Sequence, residues 1–156
     1  MTPAASVINN SPIILYPFQS GLNVTESTPQ TVFDVIGEDG LIRLVRAFYA
    51  QVPGDEVLGP MYPPTELHAA ERRLREFLVY RLGGPDRYIV ERGHPKLRIR
   101  HAPFVIHQSA RDRWVQLMDN ALGTADLPPE IIAALRTFFA ETATFLINSE
   151  HRPNGC

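Results

Sequence analysis

The chain has 156 residues and a formal net charge of −2, with 15 Lys and Arg residues against 17 Asp and Glu residues. A chain of this length forms one domain and buries roughly two thirds of its unfolded surface, so it needs no disulfide scaffold. The single cysteine, Cys156, excludes an intramolecular disulfide and cysteine-based zinc or iron–sulfur sites. Neither sign of charge forms a long run, so we expect no nucleic-acid or membrane partner.

Residues 1–30 are rich in Pro, Ser, Thr and Asn and follow no regular period. We interpret them as an N-terminal extension, irregular or partly disordered, with the apolar residues 13–18 able to lie across the domain surface. No Lys or Arg precedes Arg43, and the apolar run is far too short to span a bilayer. We therefore expect no targeting segment and a cytoplasmic protein, with residues 31–150 as the domain and 151–156 as a tail.

The first predicted elements are two helices and a proline-rich corner. Apolar residues take up a helical period from Thr31, and Gly37 and Gly40 are expected to interrupt it. A stronger helix follows over residues 41–52 and ends at the Pro-Gly pair after it. Three prolines then predict a tight, irregular corner around Tyr62.

Three longer elements and a short one follow. Thr65-Glu66 is expected to cap a third helix that runs to about Leu82. Residues 86–94 are interpreted as loop, and a short basic helix carries His101. A further helix is predicted from a cap at Ser109 to Gly123, and Pro128-Pro129 opens the last one.

No segment rich in Val, Ile or Thr alternates as a strand does, and no internal repeat is visible. The sequence therefore predicts an all-helical fold.

The short basic helix indicates a metal ligand. Pro103 lacks an N–H and disfavours helical geometry in the residue before it, so the helix must end within a residue or two of His101. A neutral imidazole there can bind a metal, while Lys96, Arg98 and Arg100 can neutralise the carboxylates of an acidic cofactor. Haem combines these properties.

Three polar aromatic residues, Tyr49, Tyr62 and Trp114, stand at positions that favour burial. Taken singly, each is more often a packing residue whose polar atom bonds to a carbonyl. A lone histidine is likewise more often an ordinary polar residue than a ligand. The occurrence of all four residues in one chain favours a functional interpretation over simple packing.

Six ordered blocks carry a family resemblance: AFYAQV at 47–52, MYP at 61–63, RRLREFL at 72–78, GGP at 83–85, GHP at 93–95 with RHAPF at 100–104, and RDRW at 111–114. From about residue 33 to 148 the chain resembles a truncated haemoglobin of group II. The resemblance implies an all-α, globin-like fold, a truncated two-over-two helical sandwich around haem b. One departure is Gly37-Glu38, where the family has a glycine pair.

The resemblance also implies roles for individual residues. His101 matches the proximal ligand of the haem iron, and no catalytic residue is assigned. The expected distal residues are Tyr49, Tyr62, Trp114, Ala70 and Leu74, the expected propionate contacts are Arg100, Arg73 and Tyr88, and the expected apolar pocket residues are Phe48, Phe77 and Leu78. His68 is turned away from the stripe of Ala70 and Leu74, so we expect it at the surface.

The function that follows is reversible binding of O2, CO and NO at a five-coordinate iron, with nitric oxide dioxygenation or peroxidase-like chemistry on the bound gas. Both reactions need electrons, and the chain has no nucleotide-binding Gly-x-Gly-x-x-Gly motif, so a separate reductase is expected. The alternatives are a gas sensor or scavenger that acts by binding alone, and a cofactor-free helical interaction domain. Either a monomer or a homodimer is compatible with the sequence.

Overall fold

The structure is a computed structural model that describes residues 14–15 and 30–150. Its helices within these ranges are α1 (Val32–Gln51), α2 (Leu67–Arg81), α3 (Arg87–Arg92), α4 (Leu97–His101), α5 (Gln108–Thr124) and α6 (Pro129–Phe145), with a 3₁₀ turn at Gly59–Met61. Most of the predicted extension, 1–30, and the whole predicted tail, 151–156, lie outside the described residues. No helix of the described part is both long and apolar enough to cross a membrane.

The all-helical prediction is confirmed for the body of the domain, but it missed one short strand pair. Strand β1 (Ile14–Leu15) pairs antiparallel with β2 (Gln30–Thr31), Ile14 opposite Thr31. Two residues per strand are too few to show a strand period in a sequence. The pair connects the segment before the domain to the start of α1.

Helix α1 begins with a capping box and is kinked at Gly37. Thr31 Oγ1 accepts a hydrogen bond from the Asp34 N–H at 3.0 Å, and Asp34 Oδ2 accepts one from the Thr31 N–H at 3.0 Å. Gly37 has φ +64° and ψ −178°, a conformation open essentially to glycine alone. The predicted break at Gly37 is thus confirmed, whereas the break at Gly40 is wrong because that residue is helical.

The helices pack in two layers joined through α1. Helix α1 packs against α2 and α5, and α5 packs against α6. Their apolar stripes meet in one core, where burying each large aliphatic or aromatic side chain contributes about 1.5–3 kcal/mol. The largest fully buried side chains of the helices are Leu41, Leu44 and Phe48 of α1, Leu78 of α2, Met118 and Leu122 of α5, and Ile131 and Leu135 of α6.

The start of α1 and the end of α2 meet at one corner. The Phe33 N–H donates a hydrogen bond to the Leu82 carbonyl at 2.9 Å. Gly83, with φ +102°, lies so close to Thr31 that a Cβ there would be 2.6 Å from Thr31 Oγ1. A glycine is therefore required at the turn that ends α2.

Helix α3 corrects the prediction that residues 86–94 form a loop. A helix of six residues is too short to display an apolar period, and its formation depends on tertiary packing. Tyr88 supplies that packing: its buried ring lies 5.7 Å from Phe77 and 6.4 Å from Tyr80.

Other helices begin one or two residues away from the predicted boundary. Helix α5 begins at Gln108, with His107 and not Ser109 at the N-cap position, and α2 follows Glu66, whose side chain makes no capping bond. The predicted opening of the last helix at Pro128-Pro129 is confirmed, because a proline is tolerated in the first turn.

Candidate functional site

One cavity of about 440 Å³ brings together most of the residues singled out in the sequence. We call it the central cavity. Residues from α1, α2, the corner before α2, and the chain from α3 to α6 line it. The predicted residues that line it are Tyr49, Tyr62, Ala70, Arg73, Leu74, Phe77, Leu78, Tyr88, Arg100, His101 and Trp114.

Phe48 is the exception, and its predicted place in the cavity wall is wrong. Its side chain is fully buried and lies one layer behind the wall, with ring centroids 5.0 Å from Tyr49 and 5.1 Å from Trp114. Tyr49 lines the central cavity and Phe48 does not, so the two neighbouring rings lie in different layers. Phe48 supports the two polar aromatic residues from behind.

The contribution of α6 to the cavity was not predicted from the sequence. Its side chains Phe138, Phe139, Thr142 and Ala143 line the central cavity. The signal was the broad apolar face of this helix, which is wider than packing against α5 alone requires. Met61, at the corner, was also missed.

His101 is the last residue of α4, as its position before Pro103 predicted. The ring is half-buried, and Nδ1 lies 2.7 Å from the Leu97 carbonyl oxygen. With the proton on Nδ1, the ring donates to this carbonyl and its Nε2 lone pair remains available to a metal. A carbonyl partner of this kind fixes the tautomer and increases the basicity of the metal-binding nitrogen.

Two tyrosines and a tryptophan form an aromatic cluster at the central cavity. The rings of Tyr49 and Tyr62 meet edge to face, with centroids 5.7 Å apart, and Trp114 lies 5.6 Å from Phe139. Edge-to-face contacts fix ring orientation. Trp114 also hydrogen-bonds to Tyr62, so three N–H or O–H groups from α1, the corner and α5 lie near one another.

The two phenols keep their protons over the physiological range. Burial raises the pKa of Tyr49 far above its ordinary value, and the neighbouring Tyr62 raises it further. Burial is also the largest influence on Tyr62 and raises its pKa, although hydrogen bonding from Trp114 and Tyr49 favours its ionised form. Both residues therefore act as O–H donors, and the Tyr62 oxygen is the shared acceptor of the cluster.

The wall supplied by α2 offers no metal ligand at its predicted positions. Ala70 is buried and too small to reach a metal, and Leu74 has no donor atom. His68 is exposed, as predicted, and does not line the central cavity. His101 is the histidine that this site presents.

Arginines form the polar rim of the cavity. Arg100 donates from Nε to the Pro95 carbonyl at 2.7 Å and from Nη2 to the Arg92 carbonyl at 2.8 Å, so its guanidinium is already held in place. Arg92 lies over the Tyr88 ring at 5.9 Å. Arg73 is exposed and forms no ion pair within the described part of the chain. The rim can neutralise carboxylates of a bound group.

These residues fit haem. The described residues contain no group of three or more His, Cys, Asp or Glu side chains that could hold a bare metal ion. A single histidine suits an iron that a porphyrin already holds from four sides, the apolar walls suit its rings, and the cationic rim suits its propionates.

Comparison with known proteins gives the same assignment. The sequence profile of the family described as "Bacterial-like globin" matches residues 31–148. The group 2 truncated hemoglobin YjbI of Bacillus subtilis is 37% identical over 116 residues, which cover 74% of this chain and 87% of the relative.

Two solved structures support the fold. The group II truncated hemoglobin of Bacillus anthracis has a TM-score of 0.77 and 32% identity, and the match covers 82% of this chain and 98% of that one. A truncated oxygen-avid haemoglobin from Bacillus subtilis has a TM-score of 0.72 and 36% identity, with 76% of this chain and 100% of that one covered. The chain therefore belongs to the bacterial-like globin family, as a truncated haemoglobin of group II.

Proposed function

We propose that the protein binds haem b in the central cavity, with His101 as the proximal ligand, and binds O2, CO and NO reversibly at the iron. The observation that carries this proposal is the contact between His101 Nδ1 and the Leu97 carbonyl, 2.7 Å apart. It orients the ring and leaves Nε2 as the metal-binding atom. When bound, haem would supply an iron with one coordination position for a diatomic gas.

The aromatic cluster supports strong retention of oxygen. Trp114 can only donate, whereas Tyr49 and Tyr62 can donate and accept, and both phenols stay protonated. A hydrogen bond to a group that carries charge contributes roughly 1.5–3 kcal/mol, which slows dissociation about ten- to a hundredfold. The oxygen-avid relative from Bacillus subtilis fits this expectation.

Slow release favours chemistry on the gas over oxygen delivery, because a carrier must unload. We propose nitric oxide dioxygenation or a peroxidase-like reaction, with electrons from a separate reductase in the cytoplasm. Arg73, Arg100 and Tyr88 would hold the propionates, while Phe77 and Leu78 would pack against the porphyrin. The assembly we expect is a monomer or a homodimer.

The absorption spectrum of the reduced protein, with and without CO, tests the haem proposal. We expect a Soret band that is typical of five-coordinate haem and shifts with CO. His101→Gly should abolish this spectrum, and added imidazole should restore it. His68→Gly, at an exposed histidine outside the central cavity, is the matched control and should leave the spectrum unchanged. An unaltered Soret band in His101→Gly would refute the proposed ligand.

Steady-state consumption of nitric oxide, with a reductant present, tests the redox proposal. Turnover would support it. Binding without turnover would favour the gas sensor or scavenger.

A further inference from the structure

The chain turns back after α6 and runs beside the segment that follows His101. The N–H groups of Asn148 and Ser149 both donate to the Ile106 carbonyl, at 3.1 and 3.2 Å. The loop after α4 is thereby held by residues more than forty positions away in the sequence. The contact lies close to the end of α4, where His101 is the last residue.

The Asn148 side chain uses its full hydrogen-bonding capacity in this contact. Its Nδ2 donates to the His101 carbonyl at 3.2 Å and to the Phe104 carbonyl at 2.8 Å. Its Oδ1 accepts from the Ile106 N–H at 2.9 Å and from Ser149 Oγ at 3.1 Å. Two donors and two acceptor positions are all that a carboxamide offers. Because every Nδ2 contact is a carbonyl and every Oδ1 contact is a donor, the orientation of the amide is unambiguous.

The end of α4 needs such a partner. The last carbonyls of a helix have no partner within the helix, and Pro103 has no N–H to offer one. The His101 carbonyl accepts from the Phe104 N–H at 3.0 Å and from Asn148 Nδ2. In a helix of five residues these bonds are a large part of what holds its last turn.

His101 is consequently held at two points. Its ring is fixed through Nδ1 by Leu97 within α4, and its main chain is fixed through the carbonyl by Asn148 from beyond α6. Fixing only one point would leave the ring free to tilt as α4 frays. Together the two points restrict how the ring can tilt.

We propose that Asn148 is a positioning residue for His101, which sets the tilt of the imidazole toward the metal and so the strength of the iron–histidine bond. This inference rests on the proposed haem ligation by His101. A residue that only held the segment after α6 in place would affect stability but would not change the iron–histidine bond.

Two variants test the inference. Asn148→Asp keeps the size of the side chain and removes both N–H donors, while Asn148→Ala removes the amide without adding a charge. Asn120→Asp is the matched control, because Asn120 is exposed and, among the described residues, its Nδ2 donates only to Gln51 Oε1. The readouts are the iron–histidine stretching band of the reduced protein in resonance Raman spectra, and the rate of haem transfer to an excess of apomyoglobin.

We expect both Asn148 variants to shift the iron–histidine band to lower frequency and broaden it. Haem transfer should accelerate about five- to tenfold, equivalent to one or two lost hydrogen bonds. The dissociation rate of O2, which the aromatic cluster governs, should change less than twofold. Asn120→Asp should match the unsubstituted protein in every measurement.

An unchanged Raman band in Asn148→Ala, whatever its thermal stability, overturns the positioning role while the haem proposal stands. If the unsubstituted protein shows no iron–histidine band, the proposed ligation itself fails. Asn148→Ala keeps the test decisive should Asn148→Asp fail to fold.

Discussion

Arg113 Nε donates a hydrogen bond to Asp55 Oδ1, and this ion pair joins the loop before Tyr62 to the helix that carries Trp114. The Asp55 carboxylate is almost fully buried, and its other oxygen accepts the N–H groups of Val57 at 3.0 Å and Leu58 at 2.8 Å. One carboxylate thus shapes the loop and attaches it to α5.

The Asp55 pair predicts a loss of stability in acid. Hydrogen bonds from the Leu58 N–H, and then from Arg113 and Val57, hold the pKa of Asp55 below its usual value. The folded state therefore gains stability from the ionised carboxylate above the unfolded pKa of about 3.9, and loses it as the pH falls through the folded pKa. We expect Asp55→Asn to be less stable than the unsubstituted protein at pH 7, and the difference to shrink below about pH 4.

Urea unfolding between pH 7 and pH 3 measures this difference. Asp39→Asn removes a carboxylate at an exposed position and is the control for the substitution itself. A constant gap between Asp55→Asn and the unsubstituted protein over the whole range would contradict the assignment.

Trp114→Phe should speed the dissociation of O2 about tenfold or more, because it removes one N–H donor and keeps an aromatic ring. Stopped-flow mixing of the oxygenated protein with CO measures this rate. Phe48→Leu trims the ring behind Trp114 without removing a donor, so it should have a much smaller effect. An unchanged rate in Trp114→Phe would mean that the indole N–H points away from the gas.

Tyr49 and Tyr62 should not contribute phenolate absorbance in an alkaline titration. Burial raises the pKa of both phenols, so they should remain neutral where an ordinary tyrosine ionises, near pH 10. Absorbance at about 295 nm measures phenolate. Below about pH 11 its increase should be smaller than ionisation of all five tyrosines of the chain would give. Tyr49→Phe and Tyr62→Phe should leave the amplitude in that range unchanged. A smaller amplitude in either variant would show that its phenol ionises normally.

Gly83→Ala should destabilise the fold by about 1–3 kcal/mol, since the residue has φ +102° and a Cβ would press on Thr31. Gly123→Ala is the matched control, and it should change the free energy of unfolding in the opposite direction. Gly123 lies within α5 with open space around it, so alanine should stabilise the helix by about 0.5–1 kcal/mol. Thermal unfolding of the two variants should therefore shift in opposite directions.

Local signals in the sequence predicted the elements that local chemistry determines. Gly37, Pro129 and the ending of α4 at His101 were predictable because backbone geometry alone decides them. Helix α3 was not, because the packing of Tyr88 against α2 stabilises it.

The ion pair of Asp55 with Arg113 and the hydrogen bonds of Asn148 to the loop after α4 were also not predicted. Asp55 bonds to the side chain of Arg113, and Asn148 bonds to main-chain groups that include the Ile106 N–H. Each contact spans more than forty residues, and no period or spacing in the sequence indicates it. The family resemblance identified the cavity residues, but it did not distinguish the wall from the layer behind it, where Phe48 lies.

The corner where α1 begins and α2 ends limits how the distal side can open. The Phe33 N–H donates to the Leu82 carbonyl and Gly83 lies close against Thr31, whereas residues 52–66 join the other ends of the two helices. We therefore expect any separation of the two helices to be largest at the other end, near Tyr62. A gas molecule that entered between the helices at this end would then have to displace the Tyr62 ring.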